Sequence, residues 1–271
     1  MSGLNLDPVQ LDRYSRHVIM EDVGPEGQQR LLDAEVVVVG AGGLGSPVVQ
    51  YLAAAGVGTL HVVDDDDVER SNLQRQIVHA DSDVGTPKAE SAAAYVRDLN
   101  PDVDVRAHVD RLAPGNVDAY LDGVDFVVDC SDNFATRYLV NDACVLRDVP
   151  FSHAAIYRFE GQAITVTPGG PCYRCLFPEA PPEDTIPDCA TAGVLGVLPG
   201  TMGCLQATEC VKALLDYGDL LDGRLLFYDA AEVSFDDVPV SRNPDCPVCG
   251  DDPDLDSVAD VEYADGCAVN P

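Results

Sequence analysis

Residues 35–46 read EVVVVGAGGLGS and residues 59–64 read TLHVVD. The valine run Val36 to Val39 has the composition of a parallel strand buried on both faces. Gly40, Gly42, Gly43 and Gly45 follow as a tight turn, and Ser46 to Ala55 reads as a helix stopped by Gly56 and Gly58. Thr59 to Asp64 predicts a second strand that ends on a carboxylate. In such a unit a helix N-terminus approaches phosphates through its amides, and the acid at the second strand end can hold a ribose hydroxyl. The spacing Gly40-x-Gly42-x-x-Gly45 alone suits a dinucleotide oxidoreductase equally well. No G-x-x-x-x-G-K-[ST] occurs, which excludes a P-loop ATPase.

Outward from this unit the chain alternates between short apolar runs and longer amphipathic ones. Thr86-Pro87 opens a helix over Lys88 to Leu99, with proline at a first-turn position. Strands are expected at Val103 to Val109 and Val124 to Asp129, then a helix from Phe134 to Arg147. Later strands fall at Pro150 to Ile156 and Gln162 to Val166, with Gly161 as the turn between them. A loop-rich stretch runs from Gly169 to Gly200, followed by a helix over Thr201 to Leu215. Leu225 to Asp229 and Ser234 to Val240 form a closing strand pair. This order predicts an α/β protein: a doubly wound, Rossmann-like, mostly parallel sheet with a C-terminal antiparallel extension. The segment 251–271 is acidic and poor in apolar residues, and is expected to be a mobile tail.

The composition excludes several functions. The 271 residues carry 47 acidic and 16 basic side chains, a formal charge of −31. A protein that holds nucleic-acid backbones needs a basic footprint, and an acidic face is repelled by anionic membranes, so neither is an expected partner. Hydrophobic residues make up 46% of the chain, enough for a folded core. Only two of the cations are lysine, Lys88 and Lys212. An acidic, lysine-poor surface over such a core has the character of a halophile's protein, in which salt screens self-repulsion. Residues 36–63 lack Asp, Glu, Lys and Arg, but six glycines, Pro47 and Gln50 interrupt them, against a membrane span. The first 20 residues contain no apolar signal region, so the expected location is the reducing cytoplasm.

Residues 71–76 read SNLQRQ, residues 85–88 read GTPK, and residues 129–133 read DCSDN. The first follows the acidic end of the second strand, the second opens a helix, and the third lies beyond the C-terminal end of the fourth strand, the edge where open α/β sheets bind ligands. Arg75 and Lys88 there make a clamp for phosphate charge, and Asp132 offers a hard oxygen ligand for Mg²⁺. A hydride-transfer enzyme has no need of such a clamp, which disfavours an NAD(P) oxidoreductase.

Together the glycine turn, Asp64, residues 71–76, 85–88 and 129–133, and two Cys-x-x-Cys pairs make the chain resemble the MoeB and ThiF adenylating enzymes over about residues 10 to 250. That family includes eukaryotic relatives that activate ubiquitin-like sulfur carriers and haloarchaeal members that activate SAMP modifiers, to which the acidic composition is most similar. The resemblance implies an adenylation domain over 1–250, with a nucleotide half at about 30–150 and a carrier-binding and zinc half at about 151–250. It implies that the C-terminal glycine carboxylate of a small ubiquitin-fold protein ending in Gly-Gly attacks the α-phosphate of ATP. Gly40, Gly42, Gly43 and Gly45 would then face nucleotide, Asp64 would hold the ribose with Asp66 beside it, and Ser71, Asn72, Leu73, Gln74, Arg75, Asp132 and Asn133 would line the site. Lys88 and Arg75 would offset phosphate charge and Asp132 would bind Mg²⁺. Arg16 matches an arginine that the family inserts into the partner subunit's site, which implies a homodimer; one chain holding Arg16, Lys88 and Asp132 together argues against an inactive scaffold subunit of a heterodimer. A tRNA-modifying enzyme of the same fold is a further reading, against which the acidic surface counts.

Ten cysteines are present. Cys172, Cys175, Cys246 and Cys249 form two C-x-x-C pairs, and four thiolates suit tetrahedral Zn²⁺. Redox chemistry is the alternative, although neither pair has a thioredoxin-like context. The resemblance favours one structural zinc site. Cys130, Cys144, Cys204 and Cys210 read as core fillers, and Cys267 has no assigned role. Cys189, in the polar run 187–193, matches the family's thioester or persulfide cysteine. Asp188 beside it disfavours a thiolate, so a local cation is expected, either Arg174 or Arg16 of the partner subunit. The chain ends 22 residues after Cys249, so no rhodanese domain and an external sulfur donor are expected.

Overall fold

The computed structural model describes residues 6–179 and 193–263. Helices α1 (Pro8–Arg13), α2 (Ser15–Val18) and α3 (Gly24–Asp33) precede strand β1 (Glu35–Val39). Then come α4 (Gly45–Ala55), β2 (Thr59–Val63), α5 (Lys88–Leu99), β3 (Asp104–His108), α6 (Val117–Tyr120), β4 (Phe126–Asp129) and α7 (Phe134–Leu146). The second half contains β5 (Phe151–Tyr157), β6 (Glu160–Val166), α8 (Tyr173–Leu176), a long helix α9 (Val197–Leu215), β7 (Arg224–Asp229) and β8 (Ser234–Pro239). All eight strands form one sheet in the order β3-β2-β1-β4-β5-β6-β7-β8. β1 to β5 pair in parallel and β5 to β8 pair antiparallel, as the strand spacing predicts. The chain direction across the sheet reverses between β1 and β4, and that switch point opens the crevice where such sheets bind ligands.

The valine run explains the layering. Val36 and Val38 face one side, with Val48, Val49 and Leu52 of α4, Val96 of α5 and Met202 of α9. Val37 and Val39 face the other side, with Leu139 and Val140 of α7. Alternate side chains of one strand thus seed two cores, because successive strand residues point to opposite faces.

The glycine turn admits no other residue at two positions. Gly40 has φ +93°, a conformation that favours glycine. A Cβ on Gly45 would lie 1.9 Å from the Gly40 carbonyl oxygen. The turn is that tight because α4 begins six residues after β1 ends.

Three expectations change. Gly161 is inside β6, where a Cβ would lie 2.6 Å from the Met202 sulfur; the β5–β6 turn is made at residues 158 and 159, with Arg158 at φ +53°. Helix α9 begins at Val197 rather than Thr201, since Pro199 sits in its first turn, where no intrahelical amide is needed. The segment beyond Gly250, expected to be a mobile tail, packs against the domain as far as residue 263. Val258 is buried, the Leu255 amide donates to the Pro247 carbonyl at 3.0 Å, and the Tyr263 hydroxyl donates to Asp142 at 2.8 Å. Its sparse apolar residues are spaced to meet α7, which composition alone does not reveal. Among the described residues no helix is long and apolar enough to cross a membrane.

Gly45→Ala is expected to destabilise the protein by about 3 kcal/mol, the range of a severe overpacking clash. Gly115→Ala, whose added Cβ meets nothing within 4 Å, is expected to stay within about 0.5 kcal/mol. Paired thermal melts of the two variants check this contrast.

Candidate active site and cysteine cluster

The predicted nucleotide residues converge on the carboxyl edge of β1, β2 and β4. The peptide of Ala41, inside the glycine turn, is held from both sides. Its amide donates to Asp64 Oδ2 at 2.7 Å, and its carbonyl accepts from His79 Nε2 at 3.0 Å. The other Asp64 oxygen accepts the Asp66 amide at 2.9 Å. Burial raises the Asp64 pKa above the usual carboxylate range, while the Ala41 amide and the Lys88 charge oppose that rise. Two amides leave this carboxylate lone pairs for a hydroxyl donor.

Lys88, the first residue of α5, is buried, and its ammonium meets Asp66 Oδ2 at 2.7 Å. The stem of Arg75 lies over Gly43, whose added Cβ would sit 3.6 Å from Arg75 Cγ and 3.1 Å from Pro199 Cβ. The Arg75 guanidinium donates to Asn72 Oδ1 at 3.0 Å. Ser71 and Gln74 are exposed on the same turn, and the Gln74 carbonyl packs against Gly196 at the start of α9. Across the switch point, Cys130 and Ser131 back Gly40, Asp132 is exposed, and Asn133 caps α7 by accepting the Thr136 amide at 2.8 Å.

Arg16 does not join this group. It is exposed on α2, next to Tyr14, which packs on Gly56 at the C-terminal end of α4. The 11 residues of α4 span about 16 Å, so Arg16 lies at the opposite edge of the sheet from its own glycine turn. Cys189 and Cys267 lie outside the described residues. Arg174, one of the two cations expected beside Cys189, is already paired. Its guanidinium forks onto buried Asp142 with two 2.7 Å hydrogen bonds and lies 4.6 Å over the Tyr138 ring. The Asp142 carboxylate already matches its charge.

Two polar groups escaped the sequence reading. His153 Nδ1 meets Asp129 Oδ2 at 2.8 Å, with both side chains buried beneath the site. Burial lowers the His153 pKa despite that bond. The imidazole is therefore neutral near pH 7, with Nδ1–H donating to the carboxylate. His79 is the other. It sits between the two quoted motifs 71–76 and 85–88, and its position there was the one available signal.

The four cysteines of the two pairs meet. Cys172 and Cys246 sulfurs are 3.6 Å apart, Cys175 and Cys249 sulfurs 3.3 Å, and all four lie within 4.8 Å of one another. Tetrahedral zinc with bonds of about 2.3 Å places its sulfurs about 3.8 Å apart, so the donor set fits that ion. The Asn243 amide also points at Cys175 Sγ at 3.3 Å, as amides do around bound thiolates. Crowding has opposite effects on the thiols. The hydrogen bond from Cys172 lowers the Cys246 thiol pKa, while burial and the neighbouring sulfurs raise that of Cys249. Four thiolates in this space need a compensating cation. Cys130, Cys144 and Cys210 are buried and Cys204 half-buried, as expected of core fillers.

Fold and site define a class: a Rossmann-like domain that carries an arginine and a lysine at the carboxyl edge of its sheet beside a glycine turn, with a cluster of four cysteines. The chain belongs to the ThiF family, whose model matches residues 14–248. It is 66% identical over 267 residues to a SAMP-activating enzyme E1 of Haloferax volcanii, covering 98% of both chains. It is 54% identical over 259 residues to a sulfur carrier protein adenylyltransferase of Thermus thermophilus, covering 93% of this chain and 96% of that one. Its fold superposes on E. coli MccB with a TM-score of 0.79 at 24% identity, covering 93% of this chain and 75% of that one.

Metal analysis is expected to give about one zinc per chain, and none in Cys172→Ser or Cys246→Ser. Both variants should also melt at lower temperature, since a closed four-thiolate site contributes folding energy.

Proposed function

We propose that this chain is an ATP-dependent adenylyltransferase acting on the C-terminal glycine of small ubiquitin-fold sulfur carriers or modifiers. The observation that carries the reading is the joint placement of Lys88, Arg75 and the clamped glycine turn at the switch point. The high identity to named adenylyltransferases supports it.

A carboxylate is a poor electrophile, and adenylation attaches a good leaving group to it. One carrier carboxylate oxygen forms a bond to the α-phosphorus as the bond from that phosphorus to the bridging oxygen breaks. Pyrophosphate departs with that electron pair, and the product is an acyl adenylate. The attacking group is already ionised, so no general base is required. The protein's share is positioning and charge stabilisation. The turn amides at Gly42 and Gly43 face the phosphates, Arg75 and Lys88 offset their charge, and Asp64 takes the ribose with Asp66 beside it. Ser71, Asn72, Leu73, Gln74 and Asn133 line the nucleotide. Asp132 would hold Mg²⁺, which supplies further neutralisation of phosphate charge. Zinc at the four cysteines has a structural role, because a closed all-thiolate site leaves no open position.

Arg16 serves the second protomer of a homodimer; its exposed position on α2, away from its own glycine turn, supports that reading. Val9 and Ile19 near it and Tyr51 on α4 are exposed apolar residues suited to that contact. The acyl group can then pass to a nucleophile, whose bond to the carbonyl carbon forms as the bond to AMP breaks and AMP departs. Cys189 is the proposed residue, with sulfur from an external donor and products in protein conjugation, tRNA thiolation and molybdopterin synthesis. The acidic composition fits a cytoplasm of high salt.

The test is ATP–pyrophosphate exchange dependent on a carrier ending in Gly-Gly. Lys88→Ala and Asp132→Ala should each lose on the order of 10² to 10³ in rate, and parental activity in Lys88→Ala would overturn that lysine's assignment. Cys189→Ser should keep the exchange yet form no reducible covalent adduct with the carrier. Normal thiolation and conjugation in cells carrying Cys189→Ser would mean that the acyl adenylate is attacked directly by the external donor.

A further inference from the structure

His79 is buried 38 residues along the chain from Ala41, yet its Nε2 meets the Ala41 carbonyl at 3.0 Å. A carbonyl can only accept, so Nε2 carries the proton. Burial holds the His79 pKa below its usual value. The ring is thus neutral near pH 7, and Nδ1 is an acceptor. Nδ1 faces the Ser91 hydroxyl at 2.8 Å. That hydroxyl also lies 3.0 Å from Asp83 Oδ2, which accepts the Ala80 amide at 2.8 Å. The single hydroxyl proton is shared between the histidine nitrogen and the carboxylate.

Ser91 is one turn beyond Lys88 on α5. The polar connections around Ala41 therefore close into a ring. On one side Ala41 N–H reaches Asp64, the Asp66 amide and then, through the Asp66 carboxylate, Lys88. On the other side Ala41 C=O reaches His79 and then Ser91. Both arms end on the first turn of α5. A glycine turn has little side-chain packing of its own to fix it, because residues 40, 42, 43 and 45 lack a Cβ. Leu44 packs its side chain in the core, and the peptide of Ala41 is the part of the turn held by polar side chains.

We propose that His79 is a positioning residue for nucleotide binding: it fixes the Ala41 peptide, and so the turn amides, in register with the Lys88 ammonium. This rests on the nucleotide-binding reading of the glycine turn given above. His79 touches no substrate; it acts through the Ala41 carbonyl. Loss of its Nε2 donor frees that peptide to rotate and misaligns the phosphate-facing amides with Lys88. The Nδ1 side orients the ring and contributes less.

The two nitrogens can be tested separately. Glutamine places an amide nitrogen where Nε2 sits, whereas the asparagine amide reaches only as far as Nδ1. ATP affinity of the full chain is measured by calorimetry in constant KCl, without carrier, alongside thermal melts. His79→Gln is expected to bind ATP within about threefold of the parent, and His79→Asn about tenfold more weakly, the loss of one hydrogen bond. Equal ATP affinity in the two variants would overturn the proposal, whatever their melting temperatures. Should His79→Asn fail to fold, Ser91→Ala decides, with ATP binding expected to weaken about threefold by loss of part of one hydrogen bond; unchanged affinity there would overturn it. A parent chain that binds ATP but exchanges no pyrophosphate with any Gly-Gly carrier would overturn the proposed carrier chemistry, and the Gln-to-Asn ratio would still decide the role of His79.

Discussion

The close approach of Gly45 to the Gly40 carbonyl is the constraint on which the rest depends. It lets a five-residue strand reverse into α4 without a side chain in the way. Because the helix starts so near the strand end, its N-terminus and the amides of the turn open onto the crevice between β1 and β4. The second strand then brings Asp64 to the Ala41 amide, and α5 brings Lys88 to Asp66. Each later element adds charge or polarity to an edge that the turn has already oriented. A bulkier residue at 45 would separate strand from helix and move every one of these groups.

Lys88 shows how charge is used in a strongly acidic molecule. Its side chain is 7% exposed, against 23% for Lys212, and its partner Asp66 is 68% exposed. Burying an ammonium beside a single solvated carboxylate is costly, because one exposed partner repays little of the desolvation. Surface lysines are what the composition otherwise avoids. A buried cation in that position is explained by the phosphate charge of the proposed nucleotide rather than by stability. Arg174 is the contrast. It donates two hydrogen bonds to a fully buried carboxylate that matches its charge, it lies over the Tyr138 ring, and it stabilises the region around the cysteines without charge to spare.

The fold was largely legible because its signals are local. Four valines followed by four glycines in six positions define β1 and its turn without any tertiary information. The same holds for Thr86-Pro87 before α5 and for the alternation that orders the sheet. The misread positions needed knowledge of neighbours. Gly161 looks like a turn until Met202 is seen to occupy the space of its side chain, and Pro199 looks like a helix barrier until it proves to be in the first turn of α9. The site divides in the same way. Lys88, Arg75 and Asp132 stand in recognisable motifs, whereas the Asp129–His153 pair joins residues on separate strands, with no spacing to announce it. His79 reads as one more polar residue in a loop, because the partner that gives it meaning is a backbone carbonyl, which has no sequence signature.

The C-terminal segment has the same logic at a longer range. Asp142 is wholly buried on α7 and accepts from Arg174, which lies between Cys172 and Cys175, and from Tyr263. One carboxylate thereby ties the first cysteine pair to the end of the described chain. The second pair is held by the cluster itself, and the Pro247 carbonyl, within that pair, receives the Leu255 amide. The cysteines therefore do more than staple a loop-rich stretch. They fix the point from which residues 251–263 run back over α7, the helix capped by Asn133 and preceded by Asp132. The cysteine cluster, through Arg174 and Asp142, and the loop at residues 132–133, through the Asn133 cap, thus attach to opposite ends of one helix.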